Sequence, residues 1–241
     1  MAGLPDDATE SPLLSNRLIW RVTVVIGILA VVTAAISVAG RYYGEWLRTD
    51  GYSTSTEIHH IVIGQDVLAI PENMIRFEHQ RRTGNAESVD LYLLWPSLSG
   101  YEERTATVFT NPKYSQQLVF VQFSQSVMSR DMSGRLEPIY RRLFRGEPKP
   151  GPAGLTLHAL DANAGFGKET ILTARAKDGS TYVVRCQLPE TTQAASAADC
   201  QRDVHVGKDL TLLYRFSSAL LPHWEELDSK LVELSAKLLK D

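Results

Sequence analysis

From Val22 to Gly40 the chain runs for 19 residues without a charge, closed by Arg17 and Arg21 on one side and Arg41 on the other. A run of that length matches the roughly 30 Å apolar thickness of a bilayer, which predicts one membrane-crossing helix over residues 17–41. Past residue 50 the period drops to two and β-branched residues gather. Ile58–Ile63 and Asp66–Ile70 read as a hairpin turning at Gly64-Gln65. Pro71 ends the second strand and a short helix or turn is expected over Glu72–His79. Val89–Trp95 and Leu118–Phe123 alternate as strands, and Arg104–Thr110 is a less regular third.

Arg135–Phe144 has the pattern of an amphipathic helix, and the run from Gly146 to Gly154 holds three prolines and predicts an irregular loop that could divide the domain. Leu155–Leu160, Thr170–Ala176, Thr181–Leu188 and Leu210–Phe216 read as strands, with a turn at Lys177-Asp178-Gly179-Ser180. At the C-terminus Leu220, Trp224, Leu227, Leu231, Leu234 and Leu238 recur at alternating spacings of 4 and 3, one apolar seam on a charged helix. Ser217 or Ser218 suits its start, and Lys237 and Lys240 its end. This seam packs either on the domain's own sheet or on a second chain. The expected fold is α+β: one transmembrane helix, then a mostly antiparallel β-rich extracytoplasmic domain with a C-terminal amphipathic helix.

The expected organisation is a short cytoplasmic tail over 1–16, the anchor over 17–41, a juxtamembrane linker over 42–57 and a periplasmic domain over 58–241. Within the anchor Thr23, Gly27, Ala30, Ala34 and Ser37 share one helical stripe. Small side chains let helices approach closely in lipid, so this stripe is a candidate seam for another membrane helix. Tyr42, Tyr43 and Trp46 suit the headgroup interface. Nearby Lys and Arg tie in number across the span, so orientation rests on the large domain lying outside. The rival to an anchor is a cleaved signal peptide, with Ser37-Val38-Ala39 as its processing site.

Charge excludes one class of partner. With 25 Lys and Arg against 28 Asp and Glu, the formal net charge is −3, and no broad positive field exists to hold nucleic acid. The two cysteines, Cys186 and Cys200, predict either one disulfide, which would mark an oxidising compartment, or two buried thiols.

Chemical motifs fail in turn. Gly165-Phe166-Gly167-Lys168-Glu169-Thr170 lacks the first glycine and the hydroxyl residue of a phosphate loop. His59, His60 and His79 do not form a metal set, because neighbours on a strand point to opposite faces. Neither a nucleophile elbow nor an activated thiol is present. No cofactor is expected, and an enzyme would have to assemble its site from residues such as Asp90, Glu102, Glu103 and His158. Two basic clusters remain: Arg76 with Arg81 and Arg82, and Arg141 with Arg142 and Arg145. They suit anionic headgroups, envelope polysaccharide or an acidic protein patch, or else are solvated faces paired with Glu78, Glu87 or Glu137.

Gly64, Val67-Leu68, Ile70-Pro71, Met74-Ile75-Arg76-Phe77, Arg81-Arg82, Gly84, Val89-Asp90-Leu91 and Trp95-Pro96 with Leu98, Gly100 and Tyr101 form a pattern. Over residues 15–105 it resembles uncharacterised single-pass envelope proteins of alphaproteobacteria. The resemblance implies an inner-membrane anchor and a periplasmic domain, and no activity. The expected role is a noncatalytic interaction or scaffold subunit whose partners are the bilayer and another membrane or envelope protein, or a second copy of itself. The alternatives are a ligand-binding sensory domain and an enzyme.

Overall fold

The structure, a computed structural model, describes residues 16–49, 51–161, 165–190 and 195–240. Two compact units divide it, 1–50 and 51–241. In the first, helix α1 (Asn16–Thr49) carries the span: Arg17–Gly40 is long and apolar enough to cross a membrane, at a mean hydropathy of 2.6. The residues before Asn16, and the side chains of Tyr42, Tyr43 and Trp46, lie outside the described residues.

The second unit is α+β and built mostly from antiparallel strands. Strands β1 (Ile58–Ile63) and β2 (Asp66–Pro71) form the expected hairpin. Short β3 (Gly84–Asn85) and β12 (Leu239–Lys240) extend it to a four-stranded sheet ordered β12-β2-β1-β3, in which β1 and β3 pair in parallel. The larger sheet takes β4 (Ser88–Leu94), β5 (Leu118–Gln125), β6 (Phe144–Pro150), β7 (Thr156–Leu160), β8 (Thr170–Arg175), β9 (Thr181–Cys186), β10 (Cys200–Val206) and β11 (Leu210–Phe216). Its order is β4-β5-β11-β10-β9-β8-β7-β6.

One face of this sheet buries the main core. Alternate residues Val89, Leu91 and Leu93 on β4, Val119, Val121 and Phe123 on β5, and Leu210, Leu212, Tyr214 and Phe216 on β11 point into it. They meet the hairpin residues Ile61, Ile63, Leu68 and Ile70. Helix α4 (Trp224–Leu238) and the turn before it cover the same core: Leu220 of the turn and Leu227, Leu231 and Leu238 of the helix are buried in it, and Trp224 and Leu234 pack against it. On the opposite face two smaller clusters sit at the two ends. Tyr92, Tyr101, Phe109 and Leu118 gather with Tyr52 at one, and Met132, Tyr140, Ile171 and Val183 at the other.

Several expectations change. Arg104–Thr110 is not a strand: a 3-10 turn at Glu103–Thr105 leads into helix α2 (Ala106–Thr110), whose Phe109 enters the aromatic cluster. The Gly- and Pro-rich run is not structureless, since Phe144–Pro150 is β6. Its two prolines are tolerated because β6 is the edge of the sheet, where an absent N–H breaks no ladder, and a bulge between Arg145 and Lys149 absorbs Gly146 at φ +69°. The run therefore does not separate subdomains; it belongs to the same sheet and the same compact unit. Finally, residues 52–57 belong to the body. Tyr52 donates its hydroxyl to the Phe109 carbonyl at 2.9 Å, and the amides of Asn73 and Glu72 donate to Ser55 and Glu57.

The expected helix at Arg135–Phe144 is a π-helical turn at Leu136–Tyr140 running into α3 (Arg141–Leu143). Helix α4 begins at Trp224, later than expected, because a 3-10 turn holds Ser218–His223 with Pro222 inside it and Ser217 capping it.

Candidate functional site

The large sheet has a seam. Strands β9 and β10 pair at just two register positions, whereas β10 and β11 pair at seven. One of those two positions is Cys186 opposite Cys200, which are joined in a disulfide. Past Gln201 the strands part, and side chains fill the gap.

Arg202 fills most of it. Buried to 6% exposure, it donates from Nη1 to the Val183 carbonyl at 2.9 Å and to Ser133 Oγ at 2.7 Å. Its Nε and Nη2 reach the two oxygens of Asp228 on α4 at 2.9 and 3.4 Å, and its guanidinium lies 4.7 Å from the Tyr182 ring centre. Tyr214 adds a 2.6 Å hydrogen bond to the same Asp228 carboxylate. Burial, reinforced by Tyr182 and the negative charge of Asp228, pushes the Tyr214 phenol well above its ordinary range, so it remains a protonated donor. On the other face Arg135 pairs with buried Asp203. These groups close on one another, which is the arrangement of a structural lock.

Beside the lock, the first turns of α4 and the β8–β9 turn border a solvent-open cavity of about 580 Å³ lined by Lys177, Asp178, His223, Trp224, Glu225 and Asp228, among others. Its acids are engaged: Glu225 accepts the Lys177 amide at 2.7 Å, and Asp228 holds Arg202.

Between the two small clusters a strip of the outer sheet face stays open. Phe120 on β5 stands opposite Tyr92 on β4 and Arg215 on β11. The Arg76 guanidinium lies 5.1 Å from the Phe120 ring centre and 4.9 Å from that of Phe77. The backbone places it there: Ile75 bridges to Leu91, and the Arg76 amide donates to the Asp90 carbonyl at 2.8 Å. Asp90, in the same cleft, turns its carboxylate to amides, accepting from Gln122 Nε2 and Gln80 Nε2 at 3.0 Å each. Among the described residues neither Arg76 nor Arg215 forms an ion pair.

The other basic residues divide. Arg81 is spent on the Ile75 and Gly51 carbonyls. Arg141 pairs with Glu137 at 2.9 Å, and Arg145 with Asp161. Arg82 and Arg142 are exposed and form no ion pair among the described residues. Asp90, Glu102, Glu103 and His158 are not brought together. Glu102 pairs with exposed Arg104, Glu103 opens the turn before α2, and His158 on β7 stacks on Phe144 with ring centres 4.2 Å apart and bonds Thr173 at 3.0 Å. Burial and the nearby Arg141 lower the pKa of His158. His59 is buried against Glu72, 3.0 Å away, and hydrogen bonds from Ser53 and then His59 hold the Glu72 carboxyl below its usual range.

On α1 the stripe Thr23, Gly27, Ala30, Ala34 and Ser37 lies on one continuous, exposed helix, where Thr23 Oγ1 donates to the Ile19 carbonyl at 3.0 Å. Sequence reasoning missed the Arg202 lock and Arg215. Strand β10 was the lost signal, since Val204 and Val206 alternate before a turn at Gly207-Lys208, but Arg202 and Asp203 disguise it as surface.

No protein-family model matches the chain, and no curated protein matches it. Among solved structures it is similar to an immunity protein of the Stenotrophomonas maltophilia type IV secretion system, with a TM-score of 0.54 and 16% identity over 80% of this chain and 97% of that one. It is also similar to the Neisseria meningitidis iron-regulated outer membrane lipoprotein FrpD, with a TM-score of 0.48 and 8% identity over 78% and 96% of the two chains. At such identity the first likeness establishes a shared fold and leaves function to the residues, and the second is too distant to add to it.

Proposed function

We propose that this chain is a noncatalytic, membrane-anchored envelope protein that holds a partner protein against its outer domain. The observation that carries the reading is the pairing of one bilayer-length apolar helix with a single compact domain whose buried charges are locked to one another. The Cys186–Cys200 disulfide supports placing that domain in an oxidising compartment, with the N-terminus in the cytoplasm, the helix in the inner membrane and the domain in the periplasm. Partner binding fits a domain whose C-terminal seam is consumed by its own core, leaving the sheet face and the α1 stripe as surfaces for others. An immunity role, as the similar fold from Stenotrophomonas maltophilia has it, is one form this reading takes.

The test is in-cell crosslinking of the tagged full-length chain, with a version lacking residues 1–50 as control. The expected result is one reproducible envelope protein, captured only when the span is present. Capture of nothing would overturn partner holding and favour the second reading, a ligand-binding domain, which the 580 Å³ cavity supports because it lies within the size range of small-molecule sites.

A further inference from the structure

The geometry points to the cleft lined by Arg76, Phe120, Gln122 and Arg215 as the place where an aspartate or glutamate side chain of the partner protein docks. This rests on the partner-holding reading above. Three observations carry it.

The first is unmatched charge. Arg76 lies over Phe120 and Arg215 stands opposite Phe120 in strand register; both line the cleft and are exposed, and neither forms an ion pair among the described residues. The one carboxylate in the cleft, Asp90, has each oxygen occupied by a glutamine amide. Guanidinium groups bind carboxylates through paired, charge-assisted hydrogen bonds, and these two stand ready for one supplied from outside.

The second is preorganisation. Arg76 is held over Phe77 and Phe120 and follows a backbone fixed to β4, while Arg215 sits on a strand paired on both sides. The ring contacts restrict the Arg76 side chain before binding, and strand pairing fixes the backbone that carries Arg215. Arginine over an aromatic ring, with partly buried Leu213 beside it, has the composition of an interface hot spot.

The third is size. The cleft encloses about 70 Å³, far below the roughly 300 Å³ at which small-molecule sites begin. It has room for one carboxylate-bearing side chain. A metabolite would overfill it, and a cation would meet two positive charges.

The experiment uses the full-length chain in cells, with the photocrosslinking residue p-benzoylphenylalanine placed at Leu213 in the cleft or, separately, at Ser229 on α4. Adducts are mapped to the crosslinked peptide by mass spectrometry. The expected Leu213 adduct carries an Asp or Glu within a few residues of the captured position. Arg76→Gln and Arg215→Gln together lower its yield roughly 30-fold, the loss typical of a hot spot, while Arg82→Gln with Arg142→Gln, an equal change of charge at exposed positions outside the cleft, leaves it unchanged. The altered arginines are exposed, so melting of each variant close to the parent confirms that folding is intact. An adduct that ignores the double substitution, or a captured peptide without an acid, overturns the proposal, and an adduct to a second copy of this chain replaces the partner and overturns it as well. Adducts from Ser229 but none from Leu213 reject the cleft and leave partner holding standing. Adducts from neither position likewise reject the cleft, and partner holding is then decided by the crosslinking of the full-length chain described above.

Discussion

At the scale of single residues the domain depends on charged groups that sequence alone would assign to its surface. Arg202 is the central case: it spans the gap between β9 and β10, and its removal would leave the Asp228 carboxylate without its cation, held by the Tyr214 hydroxyl. Breaking one side of a buried pair costs about 3–5 kcal/mol. We therefore expect Arg202→Ala to lower the melting temperature by roughly 10 °C in a domain of this size. Arg142→Ala, at an exposed position, should stay within about 0.5 kcal/mol of the parent. Calorimetry or denaturant melts of the two variants decide the matter, and equal effects would contradict the lock. Asp66 makes the same point about legibility: its carboxylate accepts the amides of Lys208 and Asp209, tying the hairpin to the β10–β11 turn. Hydropathy reads such residues as solvent-facing because it weighs transfer from water and does not see a distant partner.

At the scale of elements, local pattern was enough wherever one face is apolar and the other polar. The hairpin β1–β2, strands β4, β5, β8, β9 and β11, and the apolar seam of α4 were all legible on that ground. Pattern failed where tertiary context overrode it. Strand β6 survives its prolines through an edge position, α2 is a five-residue helix fixed by Phe109 and its aromatic neighbours, and β10 buries charge on both faces. The seam between β9 and β10 also gives the disulfide its structural weight. With a sequence separation of 14, closing that loop stabilises by about 3 kcal/mol through the unfolded chain. We expect Cys186→Ser with Cys200→Ser to lose about that much, and hydrogen exchange to rise first along β9 and β10, which pair at two register positions. Loss of protection spread evenly over the sheet would contradict this account of the seam. Arg76 and Arg215 are 139 positions apart in the chain. Arg76 was legible within a basic cluster, whereas Arg215 joins it through the β4-β5-β11 strand order, which no local pattern encodes.

At the scale of the whole molecule the chain divides its work. The apolar run of α1 is long enough to cross a membrane, the sheets form the body of the second unit, and the apolar seam of α4 is drawn into that unit's core. On the reading proposed above, the sheet domain lies on the outer side of the membrane, where a disulfide persists. The most direct measurement is thiol accessibility. A cysteine replaces exposed Ser129 in the full-length chain, Cys186 and Cys200 remain as the disulfide, and spheroplasts are treated with a membrane-impermeant maleimide before or after lysis. Equal labelling before and after lysis, confined to position 129, is the expected result. Labelling only after lysis, or additional labelling of Cys186 and Cys200 in unreduced, denatured protein, would contradict an anchored domain facing an oxidising compartment.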